Sequence, residues 1–162
     1  MIHQYTEPFF HVGLICRSVD RSAAEFGEKF GVEFHEPSTF EIPRVQDGKA
    51  RRATVRACFS KIGPPYIELF EGDGEGIYQV DNDSELHHLG LWVPNCVAAL
   101  ERAEQQQMAP DALIADSDDR PQFWFTDPRH TLGVRFEMID DGDRDTMEVF
   151  LRTGSFPGGF SL

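Results

Sequence analysis

Phe9-Phe-His-Val-Gly-Leu-Ile15 and Leu86-His-His-Leu-Gly-Leu-Trp92 are two versions of one stretch, and their reading decides the fold. His11 and His88 stand 77 residues apart (88 − 11 = 77), and each is followed two positions later by a glycine. Further along, Tyr-Ile-Glu-Leu-Phe (Tyr66 to Phe70) returns as Arg-Phe-Glu-Met-Ile (Arg135 to Ile139), with Glu68 and Glu137 at an offset of 69 (137 − 68 = 69). Each half of the chain thus carries one histidine near its start and one glutamate near its end.

The register extends past the histidines. Phe9 to Ile15 has the length and composition of a strand. Asp20 is read as the cap of the helix that follows, Val19, Ala23, Phe26 and Phe30 as its apolar face, and Gly31 as its stop. In the second half Leu86 to Val93 reads as the strand and Asn95 as the cap. Cys96, Leu100, Ala103 and Gln107 stand at the equivalent helical positions, with Met108 covering the place of the polar Gln107. Agreement over about twenty residues marks duplicated supersecondary units.

Short β-like segments follow each helix: Glu33 to Phe40, Arg52 to Phe59 and Pro65 to Glu71, then Asp111 to Ala115, Gln122 to Thr126 and Leu132 to Asp140. Each unit is strand, helix, strand, strand, strand. The shrinking offset (77 − 69 = 8) gives the first unit eight extra residues, expected in a loop from Pro43 to Ala50. Residues 71–85 read as a linker with room for one helical turn. Their Asp-x-Asn-x-Ser run lacks the glycine and glutamate spacing of a calcium loop. The stretch after Asp140 has no counterpart in the first unit, and Met147 to Leu151 is read there as an extra strand or helical turn. The expected fold class is α+β, with a single domain over 8–140 (units 8–72 and 85–140) and a C-terminal tail over 141–162.

Composition narrows function. A formal charge of −13 argues against general affinity for nucleic acid or anionic membranes. No apolar run is long enough for a helical membrane span, and the N-terminus has no signal-peptide pattern. Three cysteines (Cys16, Cys58, Cys96) without a CxxC motif fit a reduced, intracellular setting, and Cys16 and Cys96 read as packing residues.

Strand alternation sorts the side chains. His11 and Gly13 share a face, as do His88 and Gly90, so His88 is the equivalent of His11 and His87 points away. The glycines are expected to leave room for a bound molecule on that face. Glu68 and Glu137 sit in apolar strands, where an unpaired buried carboxylate is costly and a cation removes the cost. Two imidazoles and two carboxylates suit one divalent ion (Zn, Ni, Co, Mn or Fe), with positions left for substrate oxygens. His3, His35, His87 and His130 are read as structural or surface residues. Arg52 and Arg56 share a strand face that can hold a substrate anion or simply balance nearby acids. Trp92, Phe123, Trp124 and Phe125 are candidate walls of an apolar pocket, half of which alternation sends outward or into the core.

The His-Val-Gly-Leu start, the Ile-Glu-Leu-Phe strand, the His-His-Leu-Gly-Leu-Trp-Val restart and the Gly-Val-Arg-Phe-Glu-Met ending together resemble the vicinal oxygen chelate superfamily. Within it, methylmalonyl-CoA epimerases and the glyoxalase I group are the most similar. The resemblance covers residues 8 to 140. It implies two βαβββ modules whose curled mixed sheets form a cup around one metal, with ligands at His11, Glu68, His88 and Glu137, and it implies a homodimer. Glyoxalase I enzymes carry this ligand set, while the epimerases often have Gln at the position of Glu68. Those epimerases also carry a further acidic base before the third strand of the first module. This chain instead reads Lys49-Ala-Arg-Arg-Ala-Thr-Val-Arg56, with no carboxylate.

The expected function is that of a cytoplasmic, metal-dependent isomerase, epimerase or lyase. It would act through an enediolate on a small 2-oxo, 2-hydroxy or acyl-thioester substrate, with Glu137 or Glu68 as base and Glu137 slightly preferred. Two other readings compete. A ring-cleaving dioxygenase of the same superfamily uses two histidines and one glutamate, so a fourth ligand speaks against it. A non-enzymatic small-molecule binding or resistance protein generally lacks the ligands retained here.

Overall fold

Both duplicated stretches are strands, as their β-branched and aromatic content predicts. The structure, a computed structural model, describes residues 7–156. In chain order the elements are β1 (His11–Cys16), α1 (Val19–Phe30), β2 (Ser38–Gln46), β3 (Ala50–Phe59), β4 (Tyr66–Glu71), β5 (Ser84–Val93), α2 (Cys96–Gln105), β6 (Pro110–Ala115), β7 (Pro121–Thr126), β8 (Phe136–Asp140) and α3 (Arg144–Thr153). Short 3-10 turns lie at Gly76–Tyr78, Pro128–His130 and Asp141–Asp143.

The strands close into one barrel in the order β1-β4-β3-β2-β6-β7-β8-β5. Each βαβββ unit keeps the same internal order, its first strand parallel to its last (β1 with β4, β5 with β8). The halves meet where β1 pairs antiparallel with β5 and where β2 pairs with β6. The fold class is therefore the expected mixed α+β curled sheet.

Several local readings are corrected. Ser18, not Asp20, caps α1 by accepting from the Arg21 N–H; Asp20 lies in the first turn and bonds Arg56. Of the predicted apolar face of α1 only Val19 is buried, Ala23 and Phe26 pack partly, and Phe30 is exposed. Asn95 does cap α2, accepting from the Ala98 N–H at 2.7 Å. Met108 packs against the α2 cluster, while Gln107 turns away with φ of 60°.

The segment expected to be a loop from Pro43 to Ala50 is mostly sheet, because β2 runs to Gln46 and β3 begins at Ala50. Pro43 misled the reading. It falls within the register shift between Ile42 and Val45, the kind of irregularity where a strand tolerates a residue without an N–H. The eight additional residues instead lengthen the β2–β3 hairpin, whose end pairs with β6 and closes the barrel. β8 starts at Phe136 rather than Leu132, because Leu132 and Gly133 adopt positive φ in a turn.

The presumed linker has a packing role. Ile77 and Tyr78 are buried in the interior cluster with Phe70 and Phe125. Asp47 holds this turn in place, accepting from the Ile77 N–H and from Arg51 at 2.9 Å each. Arg51 in turn donates to Asp73 and to the Glu75 carbonyl. The stretch set apart as a tail contains α3, whose Phe150 and Leu151 are buried against Phe10, Phe59 and Trp92. His3 and the part of that tail beyond residue 156 lie outside the described residues.

Candidate metal centre

The register of four adjacent strands assembles the site. In one cross-strand row Glu68 on β4 lies beside Gly13 on β1, which lies beside His88 on β5. Two residues along β1, in the next row that shares this face, Glu137 on β8 lies beside Gly90 on β5, which lies beside His11 on β1. Each glycine is thus flanked by the glutamate of its own unit and the histidine of the other. A Cβ on Gly13 would fall 2.1 Å from Cε1 of His88, and one on Gly90 would fall 2.0 Å from Cε1 of His11. The space that the glycines were expected to leave for a ligand is filled by imidazoles, reciprocally. Gly in a strand marks close approach, and here the approaching groups are the opposite unit's histidines.

The polar atoms converge. Nε2 of His11 and Nε2 of His88 are 2.7 Å apart. Oε2 of Glu137 lies 3.1 Å from His11 Nε2 and 3.4 Å from His88 Nε2. Oε2 of Glu68 lies 3.5 Å and 3.2 Å from the same two atoms. Ligand atoms of His11, His88 and Glu137 all fall within 4.8 Å of one another. Metal–nitrogen and metal–oxygen bonds of about 2.0–2.2 Å place neighbouring ligand atoms about 2.8–3.6 Å apart in octahedral or tetrahedral geometry. The four nitrogen–oxygen separations are those of one coordination shell, the two imidazole nitrogens stand only slightly closer, and the mixed nitrogen and oxygen donors suit a divalent transition ion. His11, His88 and Glu137 are buried, and Glu68 is partly so.

Electrostatics agree with this. Burial disfavours a charged His88, but the carboxylates of Glu137 and Glu68 outweigh it and push its pKa up to about 9. Burial alone would raise Glu137, yet the imidazoles of His88 and His11 hold it well below the usual carboxylate range. Without a cation the site keeps a proton to separate the facing nitrogens; a divalent ion replaces that proton.

The sequence reading missed His87. The register shift between Gly13 and Leu14 on β1 leaves His87 as the extra residue on β5, so Gly13 faces His88 and Leu14 faces Leu86. Simple alternation sent His87 outward; at the bulge it stays buried beside His88. Its Nδ1 lies 2.8 Å from Nδ1 of His88 and its Nε2 lies 2.9 Å from the carbonyl oxygen of Ile77. A carbonyl can only accept, so His87 Nε2 carries the proton and, in the neutral ring, His87 Nδ1 must accept. His88 therefore donates from Nδ1, and Nε2 is the atom it turns to the site, where it carries the proton until an ion takes that proton's place. Burial, with neighbouring His88 and Arg135, lowers the pKa of His87 to about 3, so it remains the neutral acceptor this chain needs. Only the doublet His87-His88 hinted at this in the sequence.

Of the residues proposed to contact substrate, Phe123 and Phe125 reach the cavity, whereas Arg52, Arg56, Trp92 and Trp124 do not. On β3 the inward residues are Val55, Ala57 and Phe59; Arg52 and Arg56 point the other way. Arg56 instead forks onto Asp20 of α1 at 2.6 and 2.8 Å, and Arg52 is exposed. Trp124 alternates with the inward Phe123 and Phe125, so it lies beneath α2 and donates to the Cys96 carbonyl at 3.1 Å. Trp92 stacks on Phe10 with ring centres 4.2 Å apart, under the guanidinium of Arg144, and props α3. The basic run from Arg44 to Arg56 is largely spent on acids, with Arg44 on Asp119 and Lys49 on Glu75. The three cysteines are buried and free, and burial raises the thiol of Cys58 to about 12.

A cavity of about 270 Å³ opens over His11, Glu68, His88 and Glu137, walled by both units and by α3. The chain is thus a single-sheet barrel of paired βαβββ units with a buried histidine–carboxylate cluster at its centre. The model of the glyoxalase/bleomycin resistance protein/dioxygenase superfamily matches residues 10–122, and the chain belongs to that superfamily. Solved structures of similar fold include a variant of Streptomyces coelicolor methylmalonyl-CoA epimerase in complex with 2-nitronate-propionyl-CoA. It has a TM-score of 0.58 and 18% identity, with 82% of this chain and 96% of that chain covered. The Mycobacterium tuberculosis methylmalonyl-CoA epimerase matches with a TM-score of 0.55 and 15% identity over 82% and 87% of the chains. A hypothetical protein from Bacillus halodurans matches at 0.57 and 18% over 82% and 93%. At these identities the likeness is one of fold. No curated protein matches the chain.

Proposed function

We propose that this protein is a metal-dependent isomerase, epimerase or lyase that moves a proton next to a carbonyl of a small substrate bearing two adjacent oxygens. The observation that supports it is the meeting of His11, His88, Glu137 and Glu68 around one point in the cavity wall. These four residues would hold one divalent ion. Such an ion, when bound, would supply Lewis-acid polarisation of the substrate oxygens.

The residues divide the remaining work. Glu137 is buried and its carboxylate is held at low pKa by two imidazoles, which suits a fixed ligand and makes a weak base. Glu68 is the more exposed of the pair, 17% against 9% for the side chains, and makes the longest of the four contacts. We therefore assign the base to Glu68, reversing the preference for Glu137. Its Oε2 takes the proton from the carbon beside the carbonyl. Return of that proton from Glu68 to the neighbouring carbon gives isomerisation, and its return to the opposite face of the same carbon gives epimerisation. The apolar walls keep water away from the carbanionic carbon.

Metal analysis of purified protein, followed by solvent-deuterium exchange into 2-oxo, 2-hydroxy and acyl-thioester candidates, tests this reading. Exchange at the carbon beside the carbonyl, without oxygen uptake, is the expected result. Metal-free protein that exchanges equally fast would overturn it.

The tight trio of His11, His88 and Glu137 favours a second reading, since two histidines and one carboxylate are the set of non-haem iron oxygenases. Oxygen consumption with a catechol and bound iron would establish that reading in place of the first.

A further inference from the structure

The cavity above the candidate metal centre has a chemical character that the ligands alone do not dictate. Phe40, Phe59, Phe123, Phe125, Phe150 and Phe156 face it, drawn from both units and from the segment beyond β8. Most of their rings meet edge to face, Phe40 and Phe150 at 82°, Phe59 and Phe150 at 83°, Phe123 and Phe125 at 85°, while Phe150 and Phe156 stack in parallel with centres 4.0 Å apart. Such walls offer both ring faces and ring edges to a flat guest. An engineered apolar cavity of about 150 Å³ accepts benzene. A volume of about 270 Å³ leaves room for one substituted ring and the two oxygens it would present to an ion.

Charge is equally one-sided. No Lys or Arg lines the cavity among the described residues, and residues 1–6 and 157–162 contain neither in their sequence. The wall groups that can bear charge, other than the histidine and glutamate cluster, are Asp143 and Tyr78. Burial and the nearby Asp140 raise the Asp143 carboxyl, so this mouth already resists negative charge. Arg144, next in sequence, is engaged by Glu7 and Asp141 and lies over Trp92. A divalent ion with two neutral imidazoles and two carboxylates has no net charge left for a second anion. A carboxylate or phosphate on the body of the substrate would be desolvated without a partner.

We infer that the substrate of this site has an uncharged, aromatic or similarly flat apolar body, about one ring in size, joined to the pair of oxygens that meets the ion. This rests on the metal-dependent reading of the site and narrows it. It turns away from bodies that carry carboxylate or phosphate groups.

The test uses the full chain loaded with Co(II) and four bidentate oxygen chelators: benzohydroxamate, acetohydroxamate, and the para-carboxy and para-nitro derivatives of the first. Binding is read from the visible spectrum of the ion. Benzohydroxamate should bind at least about tenfold tighter than acetohydroxamate, and the para-carboxy compound at least about tenfold weaker than its neutral nitro isostere. Thr146→Lys, on an α3 residue at the cavity wall, should narrow the gap between the para-carboxy and para-nitro compounds by at least about tenfold. Equal affinity for the phenyl and methyl probes, or for the carboxy and nitro probes, would overturn the inference.

Equilibrium dialysis of the same compounds against metal-free protein separates this inference from the reading beneath it. If Co(II) fails to bind the cluster, the metal-dependent function falls. The order phenyl over methyl and nitro over carboxy would then still support the pocket's preference, and its absence would refute it.

Discussion

His11 and His88 occupy equivalent places in the two units, yet their outer ring nitrogens meet different surroundings. His88 is backed by His87 and, through it, by the Ile77 carbonyl. Nδ1 of His11 is buried with no hydrogen-bond partner among the described residues, its ring fixed by Phe10, Phe59 and Gly90. One ligand is oriented by hydrogen bonds and the other by packing. Duplication supplied the same donor twice, and the β5 bulge with the linker turn then made the two supports unequal. The glutamates differ in the same sense, Glu137 being enclosed and Glu68 the more open.

The strongest way to break this comparison is to fill the two glycines, since both histidines depend on them alike. Gly13→Ala should displace His88, and Gly90→Ala should displace His11, because the added methyl would meet ring atoms at about 2 Å. Each substitution is expected to weaken metal binding by about a thousandfold, the loss of a whole ligand. Metal titration checks it, with circular dichroism to show that the barrel persists. Near-normal affinity in either variant would show that the imidazole does not have to sit there.

Separating the glutamates is the next test. Glu68→Gln should keep metal within about tenfold while proton exchange falls about a hundredfold or more. Glu137→Gln should weaken the metal first, because it leaves both imidazoles facing an amide. Measuring metal content and deuterium exchange on the same samples reads both arms. Exchange surviving in Glu68→Gln would return the base to Glu137.

The difference between the histidines predicts a smaller, one-sided effect. His87→Phe fills the same space but cannot accept from His88, so the tautomer of His88 is no longer held. Metal affinity should drop about ten- to a hundredfold, as for other partners of ligating histidines. Phe59→Leu, a change in the packing that backs His11, should cost less than about tenfold. Competition with a chromophoric chelator measures both, and equal losses would erase the distinction.

How much of this could be read in advance depends on whether a feature is local. The βαβββ order followed from alternation and helical spacing, which act within a few residues, and the offset of 77 tied His11 to His88 without structural help. The convergence with Glu68 and Glu137 was legible because duplicated strands place equivalent residues in equivalent rows. What escaped depends on cross-strand register. His87 turns inward at a bulge that only the pairing of β1 with β5 reveals. Pro43 sits inside a strand because β2 shifts register there. The glycines could be seen to make room, but that each makes it for the other unit's histidine requires the pairing of Gly13 with His88 and of His11 with Gly90. The contribution of α3 to the cavity was equally hidden, since that segment has no counterpart in the first unit.

A change of pH sets His88 against its neighbour His87. His88 has its folded pKa raised from 6.5 to about 9, so in metal-free protein its protonation adds stability that is full below 6.5 and lost as pH rises through about 9. His87 has its folded pKa lowered from 6.5 to about 3, so its contribution is full above 6.5 and lost as pH falls toward 3. Metal-free protein should therefore be most stable near pH 6.5, falling off on both sides. An ion must displace the proton on the cluster, so apparent affinity should climb about tenfold per pH unit up to about pH 9 and then level. Over that range the ion gains hold while the metal-free barrel loses stability, so loaded and empty protein should diverge in melting temperature as pH rises. In His87→Phe the acid-side loss should shrink, because no buried neutral imidazole is left there to take up a proton on unfolding. If melting of the metal-free protein instead improves steadily from pH 6.5 to 9, the proton assigned to His88 is not there, and the two facing nitrogens must be held apart in some other way.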